Sequence, residues 1–285
     1  MLLFPADPLR PRRPDDHFAA EAEAARAAGI LVALVDHDLL ASGHDPARAV
    51  AAVRASGVAV YRGWMLRADR YADLADALAA RDVRLRTTPA QYRRAHELPG
   101  WYEALRTVTP ESVWTTGAGR AAFDAARRAL GGGPAVLRDW TKSAKHHWHE
   151  AAFIPDLADD DAAWRVATRL LQLREDDFTG GFVLRRFERF TGAEVRTWWI
   201  DGRWALVGPH PDTPDAAPTD GVNPGFLTPL VAPLGLPFVT VDLARHADGR
   251  WRVVELGDGQ VSDRPATVAP SALITALGRA FAGAS

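Results

Sequence analysis

Over the first 88 residues, short continuous apolar runs alternate with Ala-rich stretches. Leu2–Phe4, Ile30–Val35, Val58–Tyr61 and Val83–Leu85 predict strands buried on both faces, while Asp15–Ala28, closed by Gly29, Pro46–Ala55 and Ala68–Ala80 predict helices. Strands alternating with helices of this length make a parallel sheet covered on both sides. Ligands of such sheets bind beyond the carboxyl ends of the strands. That rule picks out Asp36-His37-Asp38 and Arg62-Gly63-Trp64. Arg62 and Arg67 fit either a ligand contact or an ion pair in a solvated loop, and no GxGxxG follows the first strand.

The pattern changes after Thr88, where short helices are interrupted at Pro99-Gly100 and Pro110. A helix over Arg120–Leu130 is stopped by Gly131-Gly132-Gly133-Pro134, and a strand, Ala135–Arg138, follows. Asp159–Leu173 carries an apolar stripe of Trp164, Ala167, Leu170 and Leu171 at helical spacing. Beyond it the alternation is that of antiparallel strands: Phe182–Phe187, Glu194–Ile200 and Trp204–Val207, the last two joined at Asp201-Gly202. A Pro-rich loop, residues 209–218, has no periodicity. Asn223–Leu234 reads as helix, Val239–Leu243 and Trp251–Leu256 as a hairpin turning at Ala247-Asp248-Gly249-Arg250, and Ala266–Ala282 as a closing helix. The expected class is α/β, becoming α+β in the C-terminal part.

Composition narrows the functional classes. A chain of 285 residues, 47% hydrophobic and 25% charged, can bury a large core and divide into two or three lobes. Its formal net charge of −2 gives no broad field for nucleic acid or an anionic membrane. With no Cys there are no disulfides or thiolate metal sites, which agrees with a reducing cytoplasm. The first 18 residues have only a three-residue apolar run before Pro and charge, so neither a secretory signal nor a membrane span is expected there. The ten Trp residues are expected to be core anchors.

Two stretches carry candidate chemistry. Pairing the hairpin outward from its turn sets Asp242 beside Glu255, and Asp258 follows in Gly257-Asp258-Gly259. Three converging hard oxygen donors suit Mg²⁺, and the same residues also fit a surface hairpin with solvated acids. The loop from Asp139 to Glu150 holds Lys142, Lys145, His146, His147 and His149 directly after a strand. Its ammonium groups suit phosphates, and the His cluster leaves a metal site as the alternative. Neither GxSxG nor HExxH occurs.

Four segments resemble the ATP-grasp superfamily from about residue 90 to 285, and residues 1–88 look like the α/β domain that precedes it. They are Val136–His146, similar to the phosphate-gripping strand and loop; Phe182–Phe187, similar to the strand whose backbone meets adenine; Glu194-Val195-Arg196, similar to the acid-x-Arg strand; and the hairpin, similar to the metal-binding strands. The likeness is closest to a subgroup distinguished by paired arginines and a lysine. His96 and Arg138 stand where Lys is usual, and Glu255-Leu256-Gly257 departs from Glu-x-Asn. The resemblance implies three segments: residues 1–88, a first lobe over 89–181, and a second lobe over 182–285 with the metal site. It implies ATP contacts from Arg138, Lys142, Lys145, Arg186, Phe187, Glu188 and Glu194, catalytic roles for Arg196 and Arg185, and Mg²⁺ on Asp242, Glu255 and Asp258. The implied activity is ATP-dependent joining of a small-molecule or peptide carboxylate to an amine through an acyl phosphate. A small-molecule kinase and a non-catalytic ATP-binding module are the alternatives, and nucleic acid and membrane are not expected partners.

Overall fold

A computed structural model describes residues 1–215 and 222–282. Part of the Pro-rich loop therefore lies outside the described residues. In chain order the elements are β1 (Leu2–Pro5), α1 (Ala19–Ala27), β2 (Val32–Val35), α2 (His37–Ser42), α3 (Pro46–Ala49), β3 (Gly57–Tyr61), α4 (Ala68–Ala79), β4 (Val83–Leu85), α5 (Pro89–His96) and α6 (Leu98–Leu105). There follow β5 (Ser112–Trp114), α7 (Arg120–Leu130), β6 (Ala135–Asp139), β7 (Phe153–Ile154), α8 (Asp160–Arg174), β8 (Phe182–Arg186), β9 (Phe190–Ile200) and β10 (Arg203–Pro209). The chain ends with α9 (Thr228–Val231), β11 (Phe238–His246), β12 (Trp251–Asp258) and α10 (Pro270–Ala282). No helix among the described residues is long and apolar enough to cross a membrane.

Two compact units emerge. One comprises Met1–Ala95, Gly192–Leu243 and Glu255–Ser285; the other comprises His96–Thr191 and Ala244–Val254. The first contains the expected parallel sheet, in the order β2-β1-β3-β4. Its central strand is apolar at every position for a physical reason: successive side chains leave opposite faces, and both faces are covered. Leu3 packs into a cluster with Leu74 and Leu78 of α4, whereas Leu2 and Phe4 pack with Phe18, Ala22 of α1 and Leu273 of α10.

The second unit contains an antiparallel sheet, β5-β8-β6-β7. Its apolar face is closed by α7 and α8, with Phe123, Leu130, Ala167 and Leu170 packed on Leu137 and Leu184. Asp159 caps α8 by accepting from Ala162 N at 2.9 Å. The remaining sheet, β10-β9-β11-β12, shares its residues between the units along the chain. The hairpin turn forms as its Asp-Gly predicts, with Gly249 at φ +87° and Asp248 Oδ1 accepting from Arg250 N at 3.0 Å.

Several boundaries move. The helix expected over Asp15–Ala28 begins at Ala19, because Asp15 holds a turn by accepting from His17 N at 2.9 Å. The stretch Pro46–Ala55 is helical only to Ala49. Helix α2 has no counterpart in the apolar pattern; it lasts six residues, set by Asp36 capping Leu39 N at 3.0 Å and by Gly43 at φ +70°. Asn223–Leu234 breaks into a 3₁₀ turn, α9 and a second 3₁₀ turn, since Pro224, Pro229 and Pro233 deny the helix its donors. The basic loop contains a 3₁₀ turn over Lys145–His147 and a π-helical turn over Trp148–Ala152.

Candidate active site

In the first unit the functional side chains converge on Arg196. It lies in β9 opposite Gly208 of β10, and His210 extends that pairing by donating its N–H to Glu194 O at 3.1 Å. The Arg196 guanidinium grips Asp242 of β11 with both forks, Nε to Oδ1 and Nη2 to Oδ2, each at 2.8 Å. Its Nη1 donates to Asp263 O at 3.1 Å, and Nη2 lies 3.1 Å from His210 Nε2. Arg196 is 9% exposed and Asp242 3%, so this is a nearly dehydrated ion pair with directional bonds at both ends.

Charge states follow from that packing. Burial acts to raise the Asp242 pKa, but the Arg196 charge and hydrogen bonds, helped by His210, hold the carboxyl well below the ordinary range. Burial likewise acts against the Arg196 cation, and Asp242, with smaller contributions from Glu255 and Asp263, reverses the shift and raises its pKa. A permanently charged donor thus stands beside a permanently ionised acid.

Glu255 belongs to this group. Gly259 N donates to Phe238 O at 3.0 Å, and a Cβ on Gly257 would lie 3.3 Å from Thr240 Oγ1. Continued two residues, that register sets Glu255 opposite Asp242 on one face of the sheet. Asp258 departs from the expected trio. It is the last residue of β12, three residues from Glu255, so its side chain leaves the other face. There Asp258 Oδ1 accepts from Gln260 N at 2.8 Å and from Gln260 Nε2 at 3.1 Å. The three metal-type ligands that lie within 4.8 Å of one another, among the described residues, are Glu194, His210 and Asp242. Sequence reasoning missed His210 and Asp263, neither of which belongs to a motif. The available signal for His210 was its place two residues beyond Gly208, on the face that Arg196 shares.

The second unit uses its predicted residues structurally. Arg185 of β8 is 6% exposed, and it donates to Val254 O at 2.5 Å, Val253 O at 3.0 Å and Thr109 Oγ1 at 2.6 Å. It therefore ties β12 to the segment before β5 by backbone carbonyls. Arg185→Lys should lower the stability of the chain by about 2 kcal/mol, because one ammonium cannot reach three acceptors held in a fork. Thermal melting checks this, and an unchanged melt would show that the contacts contribute nothing.

Arg186 caps the C-terminal end of α7, donating to Gly132 O at 2.6 Å and to Leu130 O. Glu188 is held by both forks of Arg252, at 2.8 and 2.7 Å. Phe187 is 36% exposed and meets Phe153 edge-on, with centroids 5.3 Å apart. Arg138 donates to Asp139 O at 3.3 Å and Thr141 O at 2.5 Å. The Asp139 carboxylate, fully buried, shapes the loop by accepting from Thr141 N, Lys142 N and Arg174 Nε at 2.7, 2.6 and 2.9 Å. Of the loop's basic side chains, Lys142, Lys145, His146, His147 and His149 all lie at its surface. In the first unit Arg62 is a core residue, buried against Glu21 at 2.7 Å, and Arg67 is an exposed partner of Asp69 at 3.7 Å.

An antiparallel sheet bearing paired acids and a buried arginine, in a chain that begins with a parallel α/β sheet, is the arrangement the sequence resemblance implied. The family described as ATP-grasp domain, R(2)K clade family 3, matches residues 129–277. This chain belongs to that ATP-grasp family. Solved structures of similar fold include a RimK domain protein ATP-grasp from Sphaerobacter thermophilus DSM 20745, with 19% identity, 97% of this chain and 98% of that one covered, and a TM-score of 0.60. D-cycloserine synthetase DcsG has 18% identity, 98% coverage of both chains and a TM-score of 0.64. The ATP-grasp ligase PsnB, complexed with minimal precursor, Mg and ADP, has 16% identity, coverage of 99% and 98%, and a TM-score of 0.58. At these identities the likeness is one of fold. No curated protein matches the sequence.

Proposed function

We propose that this ATP-grasp chain is an ATP- and Mg²⁺-dependent ligase that joins a carboxylate to an amine through an acyl phosphate. The observation that carries the reading is the buried Arg196–Asp242 pair with Glu255 opposite, on the antiparallel sheet of a family member. Neighbours of the same fold carry the names of a synthetase and of a ligase complexed with Mg and ADP, which supports the same class.

The donor set fits Mg²⁺. Asp242 and Glu255 are hard oxygen donors, and Mg²⁺ ordinarily takes one or two carboxylates and completes its shell with waters and phosphate oxygens. Asp242 can serve only by sharing an oxygen with Arg196, which already holds both. When bound, the ion supplies positive charge beside the nucleotide phosphates. In the first half-reaction a substrate carboxylate oxygen bonds to the γ-phosphorus as its bond to the bridging oxygen breaks, releasing ADP. In the second, the amine nitrogen bonds to the acyl carbon as phosphate leaves, and the amine gives up a proton. The task of Arg196 is to remain cationic next to the phosphoryl oxygens, where fixed donors stabilise developing charge. Lys142 and Lys145 are assigned to phosphate contact because each carries an ammonium at the surface of the loop that follows β6.

A screen for ADP release against pools of carboxylates and amines, with mass spectrometry of products, tests the reading. The expected result is an amide and free phosphate, formed only when an amine is present. Phosphate retained on a substrate would make the chain a kinase, and no turnover with any pair would make it a binding module. Glu255→Gln should lose most Mg·ATP-dependent ADP release while keeping its circular dichroism spectrum, since the two side chains have nearly the same shape. Full activity in that variant would remove Glu255 from the site.

A further inference from the structure

The carboxyl edge of the parallel sheet holds a cavity that the phosphate chemistry does not use. Its volume is about 290 Å³, and its wall includes Asp36, His37, Asp38 and Arg48, with Asp7 and Pro8 at one side. That places it at the edge where parallel α/β sheets bind their ligands, and near the lower end of the range for small-molecule sites.

Hydrogen bonding fixes the state of His37. The Tyr61 hydroxyl donates to Trp64 O at 2.9 Å, so its one hydrogen is committed. His37 Nδ1 lies 3.2 Å from the same hydroxyl oxygen and must carry the hydrogen of that contact. Nε2 is then a bare acceptor, with no partner among the described residues. Burial, opposed by Asp38, Asp15 and Asp36, lowers the His37 pKa and favours this neutral ring. The arrangement leaves no room for a side chain at position 63, where a Cβ would stand 2.5 Å from Tyr61 Oη.

The rest of the wall pairs opposite charges without joining them. Asp36 spends Oδ1 on Leu39 N, while the carboxylate of Asp38 and the guanidinium of Arg48 have no hydrogen bond or ion pair among the described residues. A cation, a carboxylate and a neutral acceptor on one small wall match a zwitterion whose two charges are close together.

The cavity is also continuous with Arg196. Trp64 and His17 rings lie 4.5 Å apart, His17 Nε2 is 2.9 Å from Asp263 Oδ1, and Asp263 O accepts from Arg196 Nη1 at 3.1 Å. All of these residues belong to the first unit.

From this we propose that the cavity binds a free amino acid as one of the two ligase substrates, with Arg48 receiving its carboxylate and Asp38 and His37 Nε2 receiving its ammonium. The proposal rests on the ligase reading and names a substrate class for it. Free L- and D-amino acids, titrated into the full chain without nucleotide and followed by ¹H–¹⁵N chemical shifts, provide the test. At least one should shift His37 and Arg48 saturably, with affinity reduced at least about tenfold by N-acetylation or by amidation, since each removes one charge-assisted contact. Arg48→Ala, an exposed helix position, should abolish the shifts without lowering the melting temperature. The ¹⁵N spectrum of the His37 ring should show a protonated Nδ1 and an unprotonated Nε2. Absence of shifts with every amino acid, equal binding of the capped forms, or an Nε2–H ring would overturn the assignment. Mg·ATP binding and ADP release on the same sample separate the two claims: nucleotide turnover without amino-acid shifts would reject the cavity alone, and amino-acid shifts without turnover on any substrate pair would reject the ligase alone.

Discussion

Arg196→Lys is expected to lower turnover by about two to three powers of ten with little change in ATP affinity, the loss seen when one main stabiliser of developing charge is removed. Arg196 makes two parallel bonds to Asp242, a third to Asp263 O and a contact with His210 from one planar group. Lysine keeps the charge but presents it as a point, so it cannot hold Asp242 and a phosphoryl oxygen in the same geometry. The fold should survive, because Asp242 keeps a cationic neighbour. Arg196→Ala is a different experiment: it strands a carboxylate that is 3% exposed, a defect costing about 3–5 kcal/mol. Measuring ADP release with a competent substrate pair beside a thermal melt separates the two effects. Wild-type turnover in the lysine variant would exclude Arg196 from the chemistry.

The parallel sheet was legible because its strands are buried on both faces. Leu2, Leu3 and Phe4 are all fully buried, and only a strand with helices on either side turns three consecutive residues inward. Helix α2 was not legible, since its six residues are too few to show a period and its existence depends on the Asp36 cap and Gly43. The region before β5 resisted for a similar reason, as α5 and α6 are each eight residues long.

At the site, the sheet period decides what could be read. Asp242 and Glu255 lie on one face, and counting outward from the Asp-Gly turn finds them. Grouping Asp258 with them assumes that glycines on either side make a flexible loop, whereas β12 continues through Gly257 to Asp258 and the parity of the strand sends that carboxylate to the opposite face. Arginines were the least legible. The β8 pair are neighbours, yet Arg185 is buried on carbonyls of β12 and Arg186 on the end of α7, contacts made 69 and 56 residues away in sequence. A pattern of apolar and polar positions carries no information about such partners, because a guanidinium that serves backbone carbonyls and one that serves a ligand look alike in sequence.

Asp258→Asn should make the protein more stable than its parent above neutral pH and equally stable in mild acid. The Asp258 carboxylate is buried, and only Oδ1 is bonded, to the two nitrogens of Gln260. Oδ2 has no hydrogen-bond partner. The neighbouring tyrosines are stacked at 3.8 Å but spend their hydrogens elsewhere, Tyr71 on Thr87 O and Tyr92 on Leu66 O, both at 2.8 Å. Burial therefore pushes the Asp258 pKa up from 3.8 to about 7, against the lowering effect of Gln260 and of the Arg62 charge. The sign follows from linkage. The folded state holds the proton more tightly than the unfolded chain, so the contribution of this group is complete below about pH 4, declines as pH rises, and is lost once pH passes about 7. That interval corresponds to about 4 kcal/mol at most. Asparagine cannot ionise, and its amide NH₂ at the place of Oδ2 forgoes one hydrogen bond, costing about 1–2 kcal/mol. A net gain of about 2–3 kcal/mol is expected at about pH 8, shrinking to nothing or reversing near pH 4. Denaturant unfolding of both proteins across that range is the measurement. Parallel curves, offset by a constant, would mean that Asp258 titrates alike in the folded and unfolded chain and that its carboxylate is hydrated.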